Sequence, residues 1–103
     1  MLAFEKVERL TREKRVMLST SEEERVEDLV RSIARELRTP VKLSHLLRAC
    51  LGLVLRSREE LLAQARTKPV ERPPNGDTAG IAEFERSLGM LLDSALRLTR
   101  PPQ

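Results

Sequence analysis

The stretch Lys14-Arg15-Val16-Met17-Leu18-Ser19-Thr20 is the one short alternating run in a chain otherwise patterned for helices. If its backbone is extended, Val16 and Leu18 point to one side, while Arg15, Met17 and Ser19 point to the other. A lone strand leaves its backbone hydrogen-bonding groups unsatisfied, and the chain contains no second strand-like run. The sequence therefore predicts that this strand pairs with the same strand from another copy of the chain.

A helix-start signal follows the predicted strand. Ser21-Glu22-Glu23-Glu24 has the spacing of a capping box, in which Ser21 and Glu24 each satisfy a backbone N–H of the other. Apolar residues then recur at the spacing of one helix face, at Val26, Leu29, Val30, Ile33, Ala34 and Leu37. This pattern predicts an amphipathic helix from about Glu22 to Arg38.

Thr39-Pro40 predicts the end of that helix, because the residue before a proline is biased out of the helical region. A second helix begins either at this pair, with Thr39 as its N-cap, or slightly later, with Ser44 as its N-cap. Its apolar stripe consists of Leu43, Leu46, Leu47, Cys50, Leu51, Val54 and Leu55. Ser57 either starts a third short helix or lies within one long bent helix that continues to about Arg66.

The C-terminal third combines a linker with a last helix. Residues 67–80 contain three prolines and two glycines and almost no apolar side chain, which is typical of a flexible linker. Residues 81–103 then form an amphipathic helix that ends at Pro101-Pro102. Five basic and five acidic residues cancel in residues 67–103, so the whole net charge of +3 lies in residues 1–66.

Composition favours a helical, intracellular protein. Aromatic residues make up 2% of the 103 residues, so the core consists of Leu, Val, Ile and Ala. Only one cysteine is present, which fits a reducing cytosol. The chain has no apolar run of about 18 residues and carries charges near its N-terminus, so we expect a cytoplasmic protein with no membrane contact.

The sequence gives no support to an enzyme. His45 and Cys50 are the only histidine and cysteine, and their spacing places them on different faces of one helix. A nucleophilic pair requires hydrogen-bond reach and a third orienting group. Cys50 falls in the apolar stripe, where a free cysteine acts as a small hydrophobe. We therefore predict no catalytic residue, no metal site and no cofactor.

Two stretches resemble the ribbon-helix-helix family of bacterial DNA-binding proteins. Arg15-Val16-Met17-Leu18-Ser19-Thr20-Ser21-Glu22-Glu23 resembles that family's entry from strand to helix. Val41-Lys42-Leu43-Ser44-His45-Leu46-Leu47-Arg48-Ala49-Cys50-Leu51 is similar to its second-helix pattern. The resemblance covers roughly residues 14–57. It departs from the family pattern at Met17, where a polar side chain is usual, and at the turn, where Thr39-Pro40 replaces the common glycine.

The resemblance implies a mostly α-helical homodimer with one intermolecular antiparallel two-stranded ribbon, which enters the major groove of DNA. The residues that it assigns to reading base edges are Arg15, Met17 and Ser19. It assigns Lys42 and Ser44, at a helix N-terminus, to a phosphate. Independently of the resemblance, the positive charge of the arm predicts phosphate contacts by Arg12 and Lys14, with a merely solvated arm as the alternative. The expected dimer core consists of Val16, Leu18, Val26, Leu29, Val30, Ile33, Leu37, Leu46, Leu47, Cys50, Leu51 and Val54.

The chain is thus expected to have an arm at residues 1–13, a dimerisation and DNA-binding domain at 14–66, the linker at 67–80 and an association helix at 81–103. The expected function is sequence-specific binding of double-stranded DNA, as a transcriptional repressor or plasmid-type regulator. The alternative is a protein-binding adaptor or antitoxin whose last helix docks a partner protein. That helix could instead join dimers into tetramers, through Ile81, Phe84, Leu88, Leu91 and Leu92.

Overall fold

The computed structural model describes residues 7–99 and contains four α-helices in that range. They are α1 (Thr20–Leu37), α2 (Leu43–Arg56), α3 (Arg58–Thr67) and α4 (Thr78–Leu98). None of these helices combines the length and the apolar character that crossing a membrane requires.

The predicted ribbon is wrong, because residues 7–99 contain no strand. Residues 7–18 have no regular secondary structure, make no backbone–backbone hydrogen bond within the described chain and are exposed throughout. Alternation of apolar and polar residues is not enough to make a strand, since a strand also needs a neighbour for its backbone groups. The ribbon-helix-helix dimer is therefore not the architecture of this protein, which is all-helical over the described range.

The first helix starts two residues earlier than its sequence signal predicts. The cap is Ser19, whose hydroxyl accepts from the Glu22 N–H at 3.1 Å, while its own N–H donates to Glu22 Oε1 at 2.9 Å. The capping box thus uses Ser19 and Glu22 instead of Ser21 and Glu24. At the other end Arg38 adopts the left-handed conformation, with φ 55° and ψ 40°, and its N–H bonds to the carbonyl groups of the last turn. The predicted span of this helix is otherwise confirmed.

Neither Thr39 nor Ser44 caps α2. Its N-cap is Lys42, whose N–H donates to Nδ1 of His45 at 3.1 Å, so a side chain three residues along completes the cap. The helix ends at Arg56, and Ser57 connects it to α3. The short third helix is therefore the correct reading of this stretch.

The helix after the linker folds back along α3. Asp77 caps α4, because its carboxylate accepts from the Gly80 N–H at 2.8 Å. The two helices are antiparallel, since Thr99 at the end of α4 meets Ser57 just before α3. Leu91 and Ala95 are buried in this hairpin. The apolar stripe of the last helix therefore packs, at least in part, within its own chain.

Candidate nucleic-acid interface

Charge is distributed unevenly between the first two helices. Residues 38–57, which comprise the turn after α1 and all of α2, contain four basic residues and no acidic one. In contrast, α1 carries six acidic and three basic residues. The positive charge of the chain is therefore concentrated on one turn and one helix.

All four basic side chains of this segment are exposed: Arg38, Lys42, Arg48 and Arg56. None of them forms an ion pair within residues 7–99, whereas the arginines of α4 in that range pair with Glu83 and Asp93. Lys42, His45, Ala49, Gly52 and Arg56 recur at alternating spacings of three and four, so they share one side of α2. That side is polar, and its basic groups are free to bind anions.

The N-terminus of α2 adds backbone donors to this surface. The N–H groups of Leu43 and Ser44 have no acceptor among the described residues. The first turn of α2 carries no carboxylate, whereas α1 has Glu22 and Glu23 and α3 has Glu59 and Glu60. Free N–H groups and the positive end of the helix dipole favour an anion here. Lys42 and Ser44, both predicted phosphate ligands, thus lie at one helix end.

The residues predicted to read bases lie in a different place. Arg15 is exposed and its Nε lies 3.1 Å from Oε1 of Glu13. Met17 is 97% exposed. Ser19 caps α1, so its oxygen already accepts one hydrogen bond. The base-reading assignment depended on a ribbon, and the described chain has none.

The arm and the start of α2 are separated by the length of α1. A helix of 18 residues spans about 27 Å. Arg12 and Lys14 precede this helix and Lys42 follows it, so the chain enters and leaves α1 between the two groups of predicted phosphate contacts. Both groups of residues are exposed.

Sequence reasoning missed part of the basic surface. Arg38, Arg48 and Arg56 were not among the predicted contacts, because the resemblance directed attention to the arm. The signal was nevertheless present, since the absence of acidic residues from 38–57 can be counted in the sequence.

The predicted dimer core divides into covered and uncovered positions. Val30 is buried, and Val26, Ile33, Leu46 and Val54 are half-buried. The positions left exposed by the single chain are Val16, Leu18, Leu29, Leu37, Leu47, Cys50 and Leu51. In the predicted association stripe of the tail, Leu91 is buried and Leu88 is exposed. The other three residues of the stripe are half-buried: Ile81, Phe84 and Leu92.

Comparisons of this chain with known protein families, with curated proteins and with solved structures found no match.

Proposed function

We propose that this protein binds double-stranded DNA as a homodimer and acts as a transcriptional or plasmid-type regulator. The observation that carries the proposal is the basic segment 38–57, in which every charged side chain is positive and exposed. A surface of this kind suits a polyanion whose charges are evenly spaced, as duplex phosphates are.

The physical reason is the release of counterions from DNA. Each phosphate neutralised by a lysine or arginine frees a condensed cation, and this term supplies most of the affinity for nonspecific duplex. Because Arg38, Lys42, Arg48 and Arg56 form no ion pair in the described chain, binding breaks no existing pair at these sites. A homodimer presents the segment twice.

The arm supplies the proposed sequence selectivity. Arg15 lies in a segment without secondary structure, and its pair with Glu13 is exposed on both sides, so the guanidinium can exchange that partner for a guanine edge. We expect Arg15→Ala to weaken binding to a selected operator by about 1–3 kcal/mol, with a much smaller effect on random duplex. Equal losses on both duplexes would assign Arg15 to phosphates alone.

The test is the salt dependence of binding to a fluorescent duplex of random sequence, measured by anisotropy between about 50 and 200 mM salt. The wild type should weaken steeply over this range. Lys42→Gln combined with Arg56→Gln should bind more weakly and reduce the slope of log K against log salt by about 0.9 for each phosphate contact removed.

The matched control is Arg86→Gln combined with Arg97→Gln, which removes the same charge from exposed positions on α4. This control should leave the slope unchanged. Equal effects of the two double variants would mean that net charge alone drives binding. A wild-type chain without affinity at the lowest salt would contradict DNA binding and favour a protein-binding module.

A further inference from the structure

Three exposed leucines form a stripe along α2. Leu47, Leu51 and Leu55 recur every four residues, so their side chains follow one another along one face of the helix. They are 52%, 61% and 72% exposed. Leu43 and Val54, on the neighbouring side of the helix, are half-buried. The helix therefore carries an apolar surface, the leucine stripe, beside the surface that the rest of the chain covers.

Two arginines border the leucine stripe and form its basic edge. Arg48 and Arg56 each follow a leucine of the stripe by one position, which places both about 100° around the helix in the same direction. Arg48 also lies three residues before Leu51, the spacing of neighbouring side chains. Both arginines are exposed, and neither forms an ion pair within residues 7–99. Gly52 lies between them, and a Cβ added there would meet nothing within 4 Å, so the space between the arginines is open.

DNA accounts for the basic edge but not for the leucine stripe. Duplex phosphates neutralise arginines, whereas an exposed leucine gains free energy only when apolar surface removes it from water. The complementary partner of both features together offers apolar side chains and anionic groups next to each other.

The described chain does not supply such a partner from its own segments. Residues 7–18 carry four basic and two acidic residues, so the arm is itself positive. The helix α2 of a second copy has no acidic residue and would bring arginine against arginine. The helix α1 is acidic, but its apolar face already packs within its own chain, where Val30 is buried and Ile33 is half-buried. Charge complementarity therefore favours a different protein.

We infer that the leucine stripe and its basic edge bind an acidic amphipathic helix of another protein. The apolar stripe of that helix lies on Leu47, Leu51 and Leu55, and its aspartate or glutamate side chains lie along Arg48 and Arg56. A helix that buries its apolar face on a partner is a common mode of recognition, and the charges at its border select the partner.

The basic edge belongs to both partners, since Arg48 and Arg56 are also part of the basic segment 38–57. The acidic helix and DNA therefore compete for the same cations, and this consequence alone rests on the proposed function. An unlabelled acidic peptide should displace a fluorescent duplex from the full chain, and simultaneous binding of both would contradict the shared edge. Peptide binding itself is measured without DNA, so a failure of either proposal is recognised separately.

The first test measures binding of a fluorescent helical peptide of about 18 residues, which spans about 27 Å. The peptide carries leucines along one stripe and glutamates along both borders of that stripe. Its anisotropy should rise on addition of the full chain at micromolar concentration. A peptide with lysine in place of every glutamate, and one with serine in place of every leucine, should each bind at least about tenfold more weakly. No binding of the acidic peptide, or equal binding of all three, would overturn the inference.

The second test locates the peptide on α2. Leu51→Gln should weaken binding of the acidic peptide by at least about tenfold, whereas Leu98→Gln on α4, at a leucine that is also 61% exposed, should not weaken it. Arg48→Gln should weaken binding and reduce its dependence on salt. Arg66→Gln, at an exposed arginine of α3, is the matched control and should change neither. Equal effects of a variant and its control would place the peptide elsewhere and overturn the inference.

Sedimentation of the full chain at micromolar concentration decides whether a second copy covers the stripe instead. Wild type and Leu51→Gln should have the same association state, because the inferred contact is made with a different protein. Dissociation of wild-type dimers by Leu51→Gln, but not by Leu98→Gln, would assign the leucine stripe to a second copy and overturn the inference.

Discussion

The hydroxyl groups of Ser57 and Thr99 lie 2.7 Å apart although 42 positions separate the two residues. Ser57 has no exposed surface, and Thr99 Oγ1 also lies 2.8 Å from the carbonyl oxygen of Ala95. This polar contact joins the α2–α3 junction to the end of α4 and so closes the base of the helical hairpin.

We expect Ser57→Ala to lower the free energy of unfolding by about 1–2 kcal/mol, because it removes a buried hydrogen bond. Urea denaturation followed by circular dichroism measures the change. Ser21→Ala, at an exposed position of α1 without a side-chain hydrogen bond in the described chain, is the control and should change stability by less than about 0.5 kcal/mol. Equal losses of stability from the two variants would show that the Ser57–Thr99 hydrogen bond does not stabilise the fold.

Leu91 and Leu88 lie on the same helix but differ in burial. Leu91 is 6% exposed and Leu88 is 40% exposed. Leu91→Ala should therefore cost about 2–5 kcal/mol, the range for a buried leucine, and Leu88→Ala clearly less. Thermal denaturation of both variants at one protein concentration compares them. A larger loss from Leu88→Ala would mean that another molecule covers Leu88.

The corrected cap of α1 predicts which serine matters for helix stability. Ser19→Ala removes the acceptor for the Glu22 N–H and should cost about 1 kcal/mol. Ser21→Ala lies inside the helix, where alanine is the better residue, and should be neutral or slightly stabilising. The denaturant midpoints of the two variants show which serine caps α1. A lower midpoint for Ser21→Ala than for Ser19→Ala would support the capping box of Ser21 and Glu24 that the sequence predicts.

The same cap makes stability depend on pH. Hydrogen bonding to the backbone N–H of Ser19, and secondly to its hydroxyl group, lowers the pKa of the Glu22 carboxyl below its ordinary value of 4.5. Since the folded chain favours the ionised carboxylate, Glu22 contributes stability above pH 4.5, and this contribution is lost as the pH falls through the lowered pKa. The stability difference between wild type and Glu22→Gln should therefore shrink in acid. A difference that stays constant down to about pH 3 would contradict this link.

The helices could be predicted from the sequence, but their partners could not. The periodic apolar residues from Val26 to Leu37 placed α1 to within two residues, and the error arose because Ser19 and Ser21 both precede a glutamate by three positions. The stripe containing Leu91 showed that one face of α4 is buried, but such a pattern does not say against what. Its partner is α3, and only the structure shows the Ser57–Thr99 contact that aligns them.

The strand failed for a related reason. Alternation at Val16, Met17 and Leu18 describes where side chains would point in an extended backbone, whereas a strand is made by hydrogen bonds to a neighbour. Of the candidate site, the sequence interpretation named Lys42 and Ser44, which lie at the start of α2, although neither N-cap that it predicted for this helix is correct. The sequence interpretation missed Arg48 and Arg56, because it relied on a motif resemblance and not on the distribution of charge.

Arg38 adopts the left-handed conformation at the end of α1, a conformation in which glycine is the usual residue. Exchange for glycine would relieve about 1 kcal/mol of conformational cost and would also delete a cation from the acid-free segment. The stability of the fold and the positive charge of this segment therefore favour different residues at position 38. If the protein binds DNA as proposed, Arg38→Gly should stabilise the fold and weaken that binding.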